Sequence, residues 1–400
     1  MSAETLRMPG TAFTRGHVHA VAGCYFVASF AALGLPPYLT EILPGLGDRH
    51  ARWAGVLYVV PTVFGALGAP LWGRLADRYG RKRLLLRAQL GLAVAFLLAG
   101  WADSLATFTV ALVLQGILGG TFAASNGYLG AALEGPALSK ALTLMQGSAR
   151  AALVVAPIVV GSLSGWLSPH RQYALLAVLP LGAALLLAAL PEPEPAAQES
   201  ANAPKTTCAA EPPLVSLKAL YALEFAFVFS TVISFPYLIA LVDDRLPGTS
   251  PTLSGVLFAL PHLCYLVSAL AVHSAFHSRP RTGLALGFAF IALGLAGHGI
   301  AGSLPTLIAV RLLLGAGLTL GLVCLSVLAA DCAKGRAPGG MFGSLEFFSK
   351  AGAVAAGVAA AAGSARFGPA APVLTGSAAA AVTVLATFLP PLTPRTRRSR

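Results

Sequence analysis

Five charged side chains fall well inside long apolar stretches of this 400-residue chain: Arg150, Glu224, Arg311, Glu346 and Lys350. A charge placed in hydrocarbon costs roughly 2.5–3.5 kcal/mol on insertion scales, so such groups normally face water, a partner or a ligand. A guanidinium or ammonium in that setting can hold an anion. A carboxylate can carry a proton. Arg150 and Lys350 are separated by 200 residues, as are Gln146 and Glu346. Within each pair of neighbours the spacing is four, which puts both residues on one helix face. We expect Arg150 and Lys350 to bind an anionic group, with Gln146 beside the former. The plainer alternative is local neutralisation, of Arg150 by carbonyls or a polar neighbour and of Lys350 by Glu346. Glu224, in "YALEFAFVFS", is the first candidate for a proton carrier and Glu346 the second; a static ion pair with Arg311 is the alternative for Glu224. Tyr25, Asn126, Tyr237, His262 and Tyr265 are further side chains able to orient a ligand, although each fits packing equally well.

Other chemistries find no support. The five cysteines (Cys24, Cys208, Cys264, Cys324 and Cys332) have neither metal-ligand nor Cys-x-x-Cys spacing. No nucleophile–base pair or phosphate-binding loop is present, and the glycine runs lie in apolar stretches rather than in strand–turn–helix contexts. We expect no enzyme, no metal and no cofactor.

The elements that carry these residues are set by composition. The chain is 56% hydrophobic and only 10% charged, with a mean hydropathy of +0.76; soluble domains carry about 25% charged residues. Spans of roughly 20 apolar residues cross a bilayer. Twelve are predicted, at 18–40, 53–73, 84–101, 105–128, 141–165, 172–190, 217–241, 252–275, 282–300, 304–330, 341–363 and 370–390. The N-terminal apolar stretch is too long for a signal-peptide core and no small-residue cleavage site follows it, so it is expected to stay as a helix. The fold class is an all-α membrane protein.

The net charge of +12 does not point to nucleic acid. With both termini inside, five of the 27 Lys and Arg lie in outer loops, three lie in spans and 19 face the cytoplasm. Inverting the chain would violate the positive-inside rule. We expect a bacterial-type cytoplasmic (inner) membrane protein, monomeric, with the basic tail "PRTRRSR" on anionic lipid.

The stretch 191–216 is rich in Pro, Glu, Ala and Ser and reads as a flexible cytoplasmic linker. It divides the chain into six-span bundles at 1–190 and 217–400. The bundles repeat one another at an offset near 200. "AGVLYVVP" (Ala54 to Pro61) returns as "SGVLFALP" (Ser254 to Pro261). "PYL" occurs at Pro37–Leu39 and Pro236–Leu238. "SLATFTVALVLQG" (Ser104 to Gly116) aligns with "SLPTLIAVRLLLG" (Ser303 to Gly315). Repeated six-helix halves indicate a pseudo-two-fold transporter.

Between the second and third spans stands "GRLADRYGRKRLL", Gly73 to Leu85. Gly73 permits close helix approach, Gly80 a tight turn, and the basic residues hold the loop inside. This stretch resembles the signature loop of the major facilitator superfamily, G-x-L-A-D-R-x-G-R-K/R-x-x-L, at every defined position. The resemblance implies two pseudo-symmetric six-helix bundles with a cavity at their interface. It implies that Asp77 and Arg81 act in a gating latch, supported by Arg78 and Lys82. The alternative is a topology-setting loop without gating. The second-half counterpart is degenerate, with His277 in place of Asp77 and Arg281 in place of Arg81. The family's fourth-span arginine is replaced here by Leu112 before Gly116. The arginine stands in the other half, as Arg311 before Gly315, where it is expected to modulate the Glu224 carboxylate. The antiporter pattern G-P-x-x-G-G is incomplete in "APIVVG", Ala156 to Gly161.

The expected function is a secondary active transporter working by alternating access. The preferred form is a proton-coupled exporter of a small polar or anionic molecule such as a siderophore, driven by the proton gradient. A broad-specificity drug efflux antiporter, an organic-acid or sugar importer, and a membrane sensor on a transporter fold are the competing readings.

Overall fold

The computed structural model describes residues 14–133, 135–192, 213–333 and 338–387. All regular elements among them are helical. The predicted linker core, the basic tail and Cys208 lie outside the described residues. Among the described residues, nine segments are long and apolar enough to cross a membrane, and three shorter apolar helices, Ala54–Gly68, Leu105–Leu118 and Ala371–Thr387, stand at predicted spans. The chain groups into two compact units: 1–49 with 60–204, and 50–59 with 205–400.

In the first unit the first span is α1 (Arg15–Gly34), followed by a 3₁₀ turn at Pro36–Tyr38 and the short α2 (Leu39–Ile42). The second is α3 (Ala54–Tyr79) and the third is α4 (Arg81–Gly100). Gly80 separates them at φ 96°, a left-handed angle that suits glycine. The fourth predicted span is not one helix. It divides into α5 (Leu105–Leu118) and α6 (Thr121–Ala132) at Gly119–Gly120, with Gly120 at φ 84°. The fifth is α7 (Gly135–Leu163), which contains Pro157; the sixth is α8 (Pro169–Leu176) and α9 (Val178–Ala188). α1 packs on α7 and α9, and α4 packs on α5, α6, α8 and α9. Val21, Tyr25, Leu85, Tyr128, Met145 and Leu187 form a buried cluster between them.

In the second unit the seventh span is α10 (Leu217–Val232), a 3₁₀ turn at Phe235–Tyr237, and α11 (Leu238–Arg245). The remaining spans are α12 (Pro251–Phe276), α13 (Pro280–Ile300), α14 (Leu304–Ala333), α15 (Pro338–Phe367) and α16 (Ala371–Thr387). α14 packs on α12 and α13, α10 on α15, and α13 on α16. Residues 50–59 belong to this unit although α3 continues beyond them. Gly55 makes this possible, because a side chain there would collide with the Gly357 carbonyl and the Ala361 backbone. The Gly55 N–H donates to the Tyr237 hydroxyl at 3.2 Å.

The internal repeat is visible as repeated local structure. Ser104 caps α5 by accepting the Thr107 N–H at 3.3 Å, and Ser303 accepts the Thr306 N–H at 3.5 Å before α14. Both bonds satisfy donors that a helix start leaves unpaired. Each "PYL" stretch forms a 3₁₀ turn that interrupts its span. Glycine lets two helices touch at equivalent places: a Cβ on Gly116 would lie 2.6 Å from Pro61 O, and one on Gly315 2.9 Å from Pro261 Cα.

Candidate functional site

Arg150 stands ten residues inside the apolar segment Lys140–Leu163 of α7, about 15 Å along the helix axis. It is half-buried and has a partner within the chain. Gln146, one turn earlier on the same face, is exposed. Water or a polar ligand is therefore the medium this face can tolerate, since a cation at mid-depth is costly against lipid.

In the second unit Lys350 Nζ meets Glu346 Oε1 at 3.2 Å, an i,i+4 ion pair within α15. The local neutralisation weighed from the sequence is thus realised at Lys350. The two side chains remain 39% and 49% exposed, and Phe347 beside them is 65% exposed. Phe348 turns the opposite way and stacks on Tyr221 of α10 at 5.1 Å, 13° from parallel. Gly352 brings α15 against α10 at the Phe225 carbonyl, where a Cβ would sit 2.6 Å away. One side of α15 is therefore packed and the other carries an accessible charge pair. Glu224 lies in α10, half-buried, with an interaction of its own.

Arg311 is bonded to backbone carbonyls of a neighbouring helix. It is 1% exposed, and its Nε donates to Leu257 O at 2.7 Å and its Nη2 to Phe258 O at 2.8 Å. Both acceptors belong to α12, which contains Pro261. Proline has no N–H to offer the carbonyl four residues earlier, which is Leu257. The guanidinium supplies the missing donor and mends the interrupted helix.

The remaining candidates are placed as follows. Tyr25 is buried in the core of the first unit, with its ring 5.6 Å from that of Phe122. Asn126 lies in α6, and its Oδ1 is buried without a hydrogen-bond partner. His262 is enclosed by Phe235 and Phe258, each ring 5.8 Å away. Tyr237 is buried and holds residues 50–59 as described.

The basic loop is anchored mainly through backbone. Arg81 Nη1 donates to Gly127 O of α6 at 2.8 Å. Lys82 Nζ donates to Ala188 O at 2.9 Å and also to Leu190 O, both at the end of α9. Cations suit a helix C-terminus, where carbonyls lack donors. Arg78 is exposed, its guanidinium 5.3 Å from the Tyr79 ring. Gly73 lies in α3, and the side chain of Asp77, the latch residue, lies outside the described residues.

Sequence reasoning missed Arg87, counting it with the cytoplasmic loop charges. Its guanidinium stacks 3.5 Å from the Trp72 ring centroid and its Nη1 donates to Leu118 O at 2.7 Å. Trp72 Nε1 donates to Ile117 O at 2.7 Å. Together they cap the carbonyl end of α5 at the break in the fourth span. The Gly119–Gly120 pair was the available signal.

Comparison with known proteins agrees with this architecture. Residues 21–245 match the family model described as Major Facilitator Superfamily. Over 147 residues the chain is 31% identical to "Multidrug resistance protein MdtG" of Proteus mirabilis (strain HI4320), covering 36% of each chain. The match thus spans about a third of the length of that curated relative. Among solved structures, a POT family transporter in complex with 5-aminolevulinic acid aligns with a TM-score of 0.73 at 12% identity, over 96% of this chain and 97% of that one. The human organic anion transporter MFSD10 (TETRAN) aligns with a TM-score of 0.63 at 20% identity, over 92% and 98%. At these identities the structural likeness concerns the fold.

Proposed function

This chain belongs to the Major Facilitator Superfamily, and from that premise we propose that it is a proton-coupled exporter of small amphipathic molecules that carry a polar or anionic acceptor group. The observation that carries the proposal is Arg150, a half-buried cation at mid-depth of α7 with exposed Gln146 on the same face. A ligand acceptor reaching Arg150 would gain a charge-assisted hydrogen bond. Substrate would be exposed to one side of the membrane and then the other by alternating access. Both termini would face the cytoplasm of a bacterial-type inner membrane, in accord with the distribution of cations. The working unit would be a monomer.

Coupling is assigned to the carboxylates. Glu224 is the first candidate for the proton carrier and Glu346 the second; protonation of Glu346 would release Lys350 from the 3.2 Å pair. A siderophore fits Arg150 because chelating groups are rich in anionic oxygen. Broad drug efflux is favoured by the pairing of Lys350, which removes one free cation from the ligand's view, and by the MdtG relatives.

The test is transport in proteoliposomes under an imposed pH gradient, with a hydroxamate chelator and the lipophilic cation ethidium as probes. We expect Arg150→Ala to reduce chelator flux at least tenfold and to leave ethidium flux within twofold, as loss of one charge-assisted bond of ~1.5–3 kcal/mol implies. Equal flux of both probes in Arg150→Ala and wild type would remove Arg150 from the site. Glu346→Gln and Glu224→Gln each report on coupling. The carrier's variant should retain counterflow and lose gradient-driven flux.

A further inference from the structure

The first unit carries a shallow groove of about 410 Å³ along α4, whose lining includes Arg83, Arg87, Leu90, Gly91, Val94 and Leu118. Arg83, Arg87, Leu90 and Val94 recur every three or four residues and so share one stripe of the helix. From Arg83 to Val94 the stripe runs about 16 Å along the axis. The wall of the groove is almost wholly apolar, and charge stands beside one end only. Two guanidiniums stand at the end where α4 begins, Arg83 exposed and Arg87 fixed against Trp72 and the Leu118 carbonyl. The rest is apolar, with Leu90 and Val94 about half exposed. The floor is formed where Gly91 meets Leu118, since a Cβ on Gly91 would come 2.6 Å from the Leu118 side chain.

We propose that this groove binds one anionic phospholipid, its phosphate at Arg83 and one acyl chain along Leu90 and Val94. The charge at one end and the apolar length behind it match the two parts of that molecule. Anionic headgroups gain about 1 kcal/mol per basic residue near the membrane surface. Arg87 is already bonded to α5, so the recruitable cation is Arg83, and Arg87 adds its field. The site is independent of the transported substrate: it lies on α4 and uses neither Arg150 nor the carboxylates.

The experiment uses full-length protein with Trp53, Trp101 and Trp166 changed to Phe, so that Trp72, stacked on Arg87, is the sole tryptophan. It is reconstituted in phosphatidylcholine vesicles containing either dibrominated phosphatidylglycerol or dibrominated phosphatidylcholine, and quenching of Trp72 is measured against bromolipid fraction. We expect phosphatidylglycerol to be preferred about fivefold. Arg83→Gln should bring the preference close to unity, and Arg83→Lys should retain most of it. Arg279→Gln, at an exposed arginine before α13, should leave it unchanged. Equal quenching by the two lipids in the Arg83 protein would overturn the proposal. So would an Arg279→Gln effect as large as that of Arg83→Gln, which would mean diffuse surface charge. Relief of the preference by millimolar glycerol 3-phosphate would also overturn it, by showing a site for soluble anions.

Discussion

The bond between Arg311 and the proline-interrupted α12 makes a quantitative prediction. Arg311→Met removes the donors at 2.7 and 2.8 Å from Leu257 O and Phe258 O. Hydrogen bonds from charged groups are worth ~1.5–3 kcal/mol in soluble proteins. Within membranes, double-mutant cycles average ~0.6 kcal/mol and reach ~1.7. Two such bonds give a loss of about 1–3 kcal/mol, partly offset because methionine carries no charge to desolvate. The diagnostic quantity is the coupling to Pro261. Pro261→Ala restores a backbone N–H for Leu257 O, so the Nε bond becomes redundant. The cost of Arg311→Met should therefore shrink by about 0.5–1.5 kcal/mol in the Pro261→Ala background. Reversible unfolding of the four proteins in mixed SDS and dodecylmaltoside micelles measures the cycle. An unchanged cost in both backgrounds, or an Arg311→Met protein as stable as wild type, would refute the reasoning. A shifted pH profile of transport with zero coupling would instead return Arg311 to the expected service of a carboxylate.

Two further outcomes follow from packing. Gly352→Val should destabilise the second unit by at least ~2 kcal/mol, because its Cβ would stand 2.6 Å from the Phe225 carbonyl and backbone cannot easily retreat; Gly23→Ala, with open space around it, should be neutral or slightly stabilising, and thermal unfolding in detergent compares the two. Tyr38→Phe deletes the buried bond from the Tyr38 hydroxyl to Pro157 O at 2.6 Å and should cost about 1 kcal/mol, read by the same melt, with no change in the pH dependence of transport.

The helical architecture was legible because hydropathy is a sum over 20 residues and tolerates local error. The repeat was legible for a related reason. Ser104–Thr107 and Ser303–Thr306 encode their caps within four residues, and each "PYL" encodes its turn within three. The interactions that were missed link residues distant in sequence. Arg311 invites a carboxylate partner when read alone, yet its acceptors lie more than 50 residues earlier. Their need for a donor follows from Pro261, so the signal was a missing N–H rather than a charge. Arg87 reads as one more basic loop residue until α5 is seen to end against it. The division of the fourth span was written in Gly119–Gly120, but in a chain with 43 glycines that pair carries little contrast. For the candidate site, spacing placed Lys350 and Glu346 on one face but could not say that they meet.

The allegiance of residues 50–59 bears on how such a chain could be divided. A cut anywhere in the linker would produce a C-terminal fragment lacking this decapeptide. Gly357 would then lose its neighbour Gly55, and the Tyr237 hydroxyl would lose the N–H it accepts. Two separately synthesised halves would thus not be two finished products: the second would require a piece of the first to complete its own packing. Fragment complementation, rather than independent folding, is the behaviour this connectivity prescribes, and a gene split at the linker would have to be co-expressed to yield a stable protein.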